Sequence, residues 1–462
     1  MFFLCTGTRR SPVRFGAGPL SFDEALRAAT DSRNAGRHYL PIASDRARDA
    51  AVLASNERNG CSGFLEPLAV VIVLGRDVSW FYLECDAVIR ISFLAFCRRS
   101  CHNCKVINIP NGEASHGHGF MAQFVTFGEI MLRLNPPGFR RFLQADSFEA
   151  SYAGAEASVA ISLANYGVSS AFVTCLPSNE IGQAAINYTR RFGVDTSFIV
   201  RKGERIGIYF LEIGTNQRPS KVIYDRAHSA ISEVKPGIIP WDQVFSGAKW
   251  FHFTGITPAI SQSAADVCFE AAKSARDKGL TVSCDLNYRA KLWKYGKTAT
   301  EIMTGLMPYV DIVSGNEEDC EKMFSIKGAD VRVAEEVSAD KYLEVATKLT
   351  KRFPNLKKVC VTLRGSISAT HNTWSAVLYD GRELHTTKKY DITNVVDRLG
   401  SGDAFTGALI YCLLAGKSDQ EALDFATAAS ALKHSILFDP NLVGVEEIEA
   451  LVREGGAGRV QR

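Results

Sequence analysis

From Phe124 onward, short β-type apolar runs alternate with stretches whose apolar positions recur at helical spacing. This is the pattern of an α/β domain with a mostly parallel sheet. Phe124 to Glu129 opens the series. Helix-period spacing follows over Ala155 to Tyr166, then a strand over Ala171 to Leu176 and a helix from about Glu180 to Phe192, closed by Gly193. Further strands are predicted at Ala248 to Phe253, Leu280 to Leu286, Val310 to Ser314 and Lys358 to Leu363. One section breaks the rhythm. Arg205 to Glu212 and Lys221 to Asp225, joined through Gly214-Thr215-Asn216, read as a β-hairpin lid, spanning about 205–228 with its flanks. Before Phe124 the pattern is weaker: Ser21 could cap a helix over Phe22 to Leu26, and Leu68 to Leu74 reads as a buried strand, with no overall plan.

Composition sharpens that break. The 462 residues are 46% hydrophobic and 22% charged with a net charge of +3, which excludes a disulfide-stapled scaffold, a disordered chain and a basic nucleic-acid binder. Residues 1 to 120 carry 13 Arg and 1 Lys against 11 acidic residues, whereas the remainder balances 39 basic against 39 acidic. The first 120 residues are therefore expected to be an atypical extension without an assigned fold, disordered or read from too early a start, and residues 121–462 the working domain. The apolar run Pro67 to Gly75 stops well short of the roughly 20 residues a membrane span needs. At the N-terminus the charges of Arg9 and Arg10 follow a short apolar stretch, the reverse of a secretory signal. A cytoplasmic protein with reduced thiols is expected.

The densest chemistry lies in Asp397-Arg398-Leu399-Gly400-Ser401-Gly402-Asp403, ahead of a helix whose apolar face runs Phe405, Ala408, Leu409, Cys412, Leu413. Glycines at the mouth of a helix let the backbone approach an anion, and the free N–H groups of the first turn point at it. A carboxylate in that turn can take a proton from an attacking hydroxyl. By local chemistry alone, Asp403 could equally be a helix-start carboxylate after a glycine-rich loop.

Gly400-Ser401-Gly402-Asp403 resembles the Gly-Ala-Gly-Asp signature of the ribokinase-like, or PfkB, sugar kinases, with Ser401 in place of Ala. Gly154 opening a helix, Asn316-Glu317-Glu318-Asp319 after a strand and Thr362-Leu363-Arg364-Gly365 at a strand end follow the family's order, and the resemblance runs from Met121 to Arg462. It implies a three-layer α/β/α sandwich with a mostly parallel central sheet and a small β lid. Val222 to Ala230, Phe251 to Ala259, Asp285-Leu286-Asn287-Tyr288-Arg289 and Leu432-Lys433-His434-Ser435 are most similar to the members acting on 2-keto-3-deoxygluconate.

The resemblance also implies roles. ATP with Mg2+ would donate the γ-phosphate to the C6 hydroxyl of the sugar acid, Asp403 would be the general base, and the amides of Gly400, Ser401 and Gly402 would stabilise the transferred phosphate. Gly154, Tyr209, Tyr224 and Asp439 would line the sugar pocket, with Arg226 and Arg289 meeting the substrate carboxylate, a task suited to the guanidinium fork. Asn316, Thr362, Arg364, Gly365 and Lys433 would border the nucleotide, and Asp319, where the family usually carries Glu, would influence the metal. Ser158 stands where related kinases commonly carry Asn. The partners expected are the sugar acid, ATP and further copies of the chain in a homo-oligomer, with neither nucleic acid nor membrane.

Other readings stay open. Tyr209 and Tyr224 could be hairpin packing, Asp439 a turn residue before Pro440, and Lys433 part of a solvated helix face. A kinase of fructose or ribose, or a sensor that binds without turnover, would share the fold. Cys97-x-x-x-Cys101-x-x-Cys104 matches the spacing of iron–sulfur radical enzymes, and His102, His116 and His118 nearby would suit zinc.

Overall fold

The chain divides into two units, Met1–Gly117 and His118–Arg462. The structure, a computed structural model, describes residues 39–42, 50–55, 68–74, 77–83, 122–326 and 339–454. Within the first unit, strands β1 (Tyr39–Ile42), β2 (Ala50–Ser55), β3 (Leu68–Leu74) and β4 (Asp77–Leu83) form an antiparallel meander in sequence order. The strand expected at 68–74 is β3. The helix start at Ser21 and the Cys97, Cys101, Cys104 and His102, His116, His118 group lie outside the described residues.

In the second unit the alternating pattern becomes one large sheet and one small one. Strands β5 (Phe124–Phe127), β6 (Met131–Asn135), β7 (Glu149–Ala153), β8 (Ser170–Val173), β9 (Ile208–Glu212) and β10 (Lys221–Asp225) come first. They are followed by β11 (Trp250–Thr254), β12 (Thr281–Asp285), β13 (Ile312–Asn316), β14 (Lys358–Ser366), β15 (Asn372–Tyr379), β16 (Leu384–Thr386) and β17 (Tyr390–Ile392). The central order is β16-β15-β14-β13-β12-β11-β5-β8, with β17 also on β15. From β14 to β8 every pairing is parallel, and the β15 edge is antiparallel.

Successive side chains of these strands enter opposite layers, as the two-residue period of a strand requires. Val125, Phe127, Phe251, Phe253, Val313 and Val361 join one buried cluster. Its helices include α3 (Gln262–Asp277), α4 (Ala299–Leu306) and α6 (Ala339–Arg352), with α5 (Glu317–Phe324) between the last two. Phe124, Phe172, Trp250 and Ile312 point the other way, toward α1 (Ala155–Asn165) and α2 (Glu180–Arg190). Cys360 does the same toward α7 (Ser401–Leu414), α8 (Asp419–Lys433) and α9 (Val445–Glu454). A sheet buried on both faces reads as nearly continuous apolar runs, which is why its strands were legible. The six cysteines among the described residues are free and buried. No helix among the described residues is long and apolar enough to cross a membrane.

The expected hairpin is β9 and β10, but it is half of a larger element. The small sheet has the order β10-β9-β6-β7, with β6 parallel to β9. Met131-Leu132-Arg133-Leu134 conceals β6 because its central position holds a charge, yet Arg133 is fully buried.

Candidate functional site

The C-terminal ends of β12, β13 and β14, the first turn of α7 and the small sheet enclose an open cleft of about 1400 Å³. Parallel α/β sheets present their ligands at this end of the strands. Registry builds one wall: Arg133, Tyr209 and Tyr224 are direct cross-strand partners on β6, β9 and β10 and so share a face. Tyr209 and Tyr224 line the cleft. Arg133 lies behind it, where Nη1 donates to Asp439 Oδ1 at 2.7 Å and Nη2 to Asp397 Oδ2 at 2.6 Å. The Tyr209 hydroxyl donates to the same Asp439 oxygen at 2.9 Å. Burial opposes the Arg133 charge, but Asp439, Tyr209 and Asp397 hold its pKa above the ordinary arginine value.

The glycine-rich turn is shaped by the same carboxylates. Asp397 accepts the backbone N–H of Leu399 at 3.0 Å and of Phe438 at 3.1 Å, fixing the chain on both sides of the cradle. Gly400 then adopts φ 77°, and a Cβ there would meet the Asp439 carbonyl oxygen at 2.0 Å. Only glycine satisfies both demands. Helix α7 starts at Ser401 with no side-chain cap, so its first-turn N–H groups stay available to an anion. A Cβ on Gly402 would meet nothing within 4 Å. Gly400→Ala is therefore expected to lower the denaturation midpoint and abolish turnover, whereas Gly402→Ala keeps the midpoint and lowers kcat/KM by crowding the space over the cradle. Equal midpoints for the two variants would contradict this account.

Asp403 lies in that first turn and lines the cleft. Burial, and then the Asp439 and Glu156 carboxylates, push its pKa up to about 7, against the opposing charges of Arg289 and Lys433. A carboxyl group so poised can exchange a proton near neutral pH. Asp285, at the end of β12, is raised well above the carboxylate range by burial and by its neighbours Asp319 and Asp403. Asp319 accepts the N–H groups of Tyr288 at 3.0 Å and Asn316 at 2.9 Å, and burial raises its pKa as well. Asp285, Asp319 and Asp403 line the same cleft, and a divalent cation bound there would relieve their repulsion.

Thr362, Arg364 and Gly365 of β14 also line the cleft, Thr362 as the direct cross-strand partner of Asn316. Arg364 donates to Ser401 Oγ at 2.9 Å, and its guanidinium stands 5.0 Å from the centre of the Trp374 ring. Asn316 lines the cleft too, but its side chain caps α5 by accepting the Asp319 N–H. Gly154 lines the opposite end as the N-cap of α1, and a Cβ there would meet the Glu129 carbonyl oxygen at 2.0 Å. Arg289 is exposed at the rim, its Nη1 donating to the Tyr288 carbonyl at 2.9 Å.

Two expected residues lie off the cleft lining in this structure. Arg226 does not line the cleft in this structure; it is buried behind Tyr224, with Nη2 donating to Glu129 Oε2. A buried cation requires a counter-charge, and Glu129 supplies it from the turn after β5. Lys433 is fully buried and outside the cleft lining, its Nζ donating to the Ile436 carbonyl at 3.0 Å. Burial lowers its pKa while Asp397 and Asp439 oppose that shift, so it belongs to the charge network behind the cradle. Ser158 is also buried within α1, away from the cleft lining. Arg133 and Asp397 were missed as site residues. The signal was present as an arginine inside an otherwise alternating apolar strand, which demands an acidic partner.

The sequence profile described as pfkB family carbohydrate kinase matches residues 121–435. The crystal structure of 2-dehydro-3-deoxygluconokinase from Thermotoga maritima is similar, with 49% identity and a TM-score of 0.68 over 72% of this chain and 99% of that one. A 2-dehydro-3-deoxygalactonokinase of Haloferax volcanii is 32% identical over 73% of this chain and 98% of its own length. A 2-dehydro-3-deoxygluconokinase of Thermoproteus tenax is 28% identical over 68% and 88% respectively.

Proposed function

The chain belongs to the pfkB family of carbohydrate kinases, and from that premise we propose that it phosphorylates 2-keto-3-deoxygluconate (2-dehydro-3-deoxygluconate) at the C6 hydroxyl with ATP. The observation that carries the substrate is the 49% identity to the Thermotoga maritima enzyme of that name. Asp403 takes the hydroxyl proton as the oxygen attacks the γ-phosphorus in line, and ADP leaves with its bond electrons. The amides of Gly400, Ser401, Gly402 and Asp403 meet the charge that develops on the phosphoryl oxygens. Tyr209, Tyr224, Gly154 and Asp439 hold the sugar, and Arg289 meets its carboxylate. Thr362, Arg364, Gly365 and Asn316 border the nucleotide. Asp319 and Asp285 would hold Mg2+, which neutralises phosphate charge when bound.

The Haloferax volcanii relative favours a second substrate, the C4 epimer 2-keto-3-deoxygalactonate. The test is ATP consumption by the full chain with Mg2+, offered both keto-deoxy acids, fructose and ribose in parallel. Turnover confined to the keto-deoxy acids is expected, and preferential turnover of a neutral sugar would overturn the assignment. We assign this activity to residues 121–462, so removal of residues 1–120 is expected to leave kcat unchanged.

A further inference from the structure

Three guanidinium groups, those of Arg289, Arg364 and Arg398, line the cleft. Among the described residues their hydrogen bonds go to neutral groups. Arg289 donates to the Tyr288 carbonyl, Arg364 to Ser401 Oγ, and Arg398 to Asn372 Oδ1 at 2.8 Å and to Ser366 Oγ at 3.4 Å. Elsewhere in the unit two buried arginines are matched, Arg133 by Asp397 and Asp439, and Arg226 by Glu129. Among the described residues neither Arg364 nor Arg398 has a carboxylate partner, and both line the cleft at the cradle.

Such a cluster is costly in the free protein. Burial, Arg398 and Arg289 together lower the Arg364 pKa to about 10. Desolvation and like-charge repulsion of this kind are relieved when a polyvalent anion enters. Arg289 faces Asp285, Asp319 and Asp403, so Arg364 and Arg398 are the charges left for an anion, and one carboxylate would compensate only one of them. Arg364 contacts Ser401, the second residue of the cradle, and Arg398 is only two residues before Gly400. Both therefore stand where a phosphate chain held by the cradle would pass.

We propose that Arg398 and Arg364 form a guanidinium clamp for the polyphosphate chain of the nucleotide, with Arg398 as a nucleotide-binding residue. Asn372 and Ser366 hold Nη2 of Arg398 in place, and the guanidinium charge is left for the phosphate chain. This deepens the kinase reading, since the clamp needs a phosphate donor but not any particular sugar.

The test is calorimetric binding of ADP and of inorganic tripolyphosphate to the full chain, wild type against Arg398→Ala and Arg398→Gln, together with KM values for ATP and for the sugar acid. The glutamine variant retains a hydrogen-bonding group for the Asn372 and Ser366 pocket while removing the charge. At least a tenfold weakening of tripolyphosphate and a matching rise in the KM for ATP are expected, with the KM for the sugar acid unchanged, in line with loss of charge-assisted hydrogen bonds. Tripolyphosphate affinity in wild type should also fall steeply with added salt. Unchanged affinity for both probes in the glutamine variant would overturn the clamp, as would a rise confined to the KM for the sugar acid. Arginine-dependent tripolyphosphate binding without turnover of any sugar acid would leave the clamp standing and overturn the substrate assignment instead.

Discussion

Asp403→Ala is expected to reduce kcat by roughly 100-fold to 10,000-fold, the range for loss of a general base, while affinity for ATP is retained. The carboxyl lies in the first turn of α7, facing the cleft rather than capping the helix. Its pKa, pushed up to about 7 chiefly by burial, fixes the direction of the pH dependence. A base works deprotonated, so kcat/KM should fall about tenfold per pH unit below 7 and level off above it. The residual activity of Asp403→Ala should lack that limb. A variant that turns over near the wild-type rate would remove Asp403 from the proton transfer.

Arg133→Met should be the most damaging substitution for stability. It removes the cation shared by Asp397 and Asp439 and leaves two acidic groups facing a buried apolar side chain. Breaking a buried pair in this way costs about 3–5 kcal/mol, read as a lower denaturation midpoint at unchanged m. The damage should extend to catalysis. Asp397 sets the turn at Leu399 and Asp439 packs its carbonyl against Gly400, so kcat should fall in protein that remains folded. Arg133→Lys should recover part of the stability but less of the rate, because an ammonium cannot hold both carboxylates in the planar fork. A midpoint equal to wild type for the methionine variant would refute the role of this network.

Stability and catalysis meet at Arg133 because it stands on the small sheet while its partners Asp397 and Asp439 flank the cradle. The two tyrosines in its row, Tyr209 and Tyr224, line the cleft itself. The sheet is thus tied to the phosphate cradle by buried charge and not by apolar packing alone.

Local pattern was sufficient wherever function depends on a short segment. The parallel strands announced themselves by apolar runs, and Gly400 to Asp403 by glycines and a carboxylate at a helix start. The small sheet's hairpin was legible, yet its strands β6 and β7 were not, since Arg133 and Glu149 break the apolar alternation. For the arginines, sequence carried type but not allegiance. Arg226 and Arg289 look alike in sequence, and only the folded chain brings Glu129 against Arg226 and leaves Arg289 at the cleft rim. Lys433 likewise required tertiary contacts to be seen as buried rather than solvated. By itself the sequence determined the sheet's alternation, the cradle and the candidate base, because these follow from steric and periodic rules acting over a few residues. Tertiary structure alone decided which charges are spent inside the protein and which remain for a ligand, because a buried charge is set by its neighbours in space, here as many as 306 positions apart for Arg133 and Asp439.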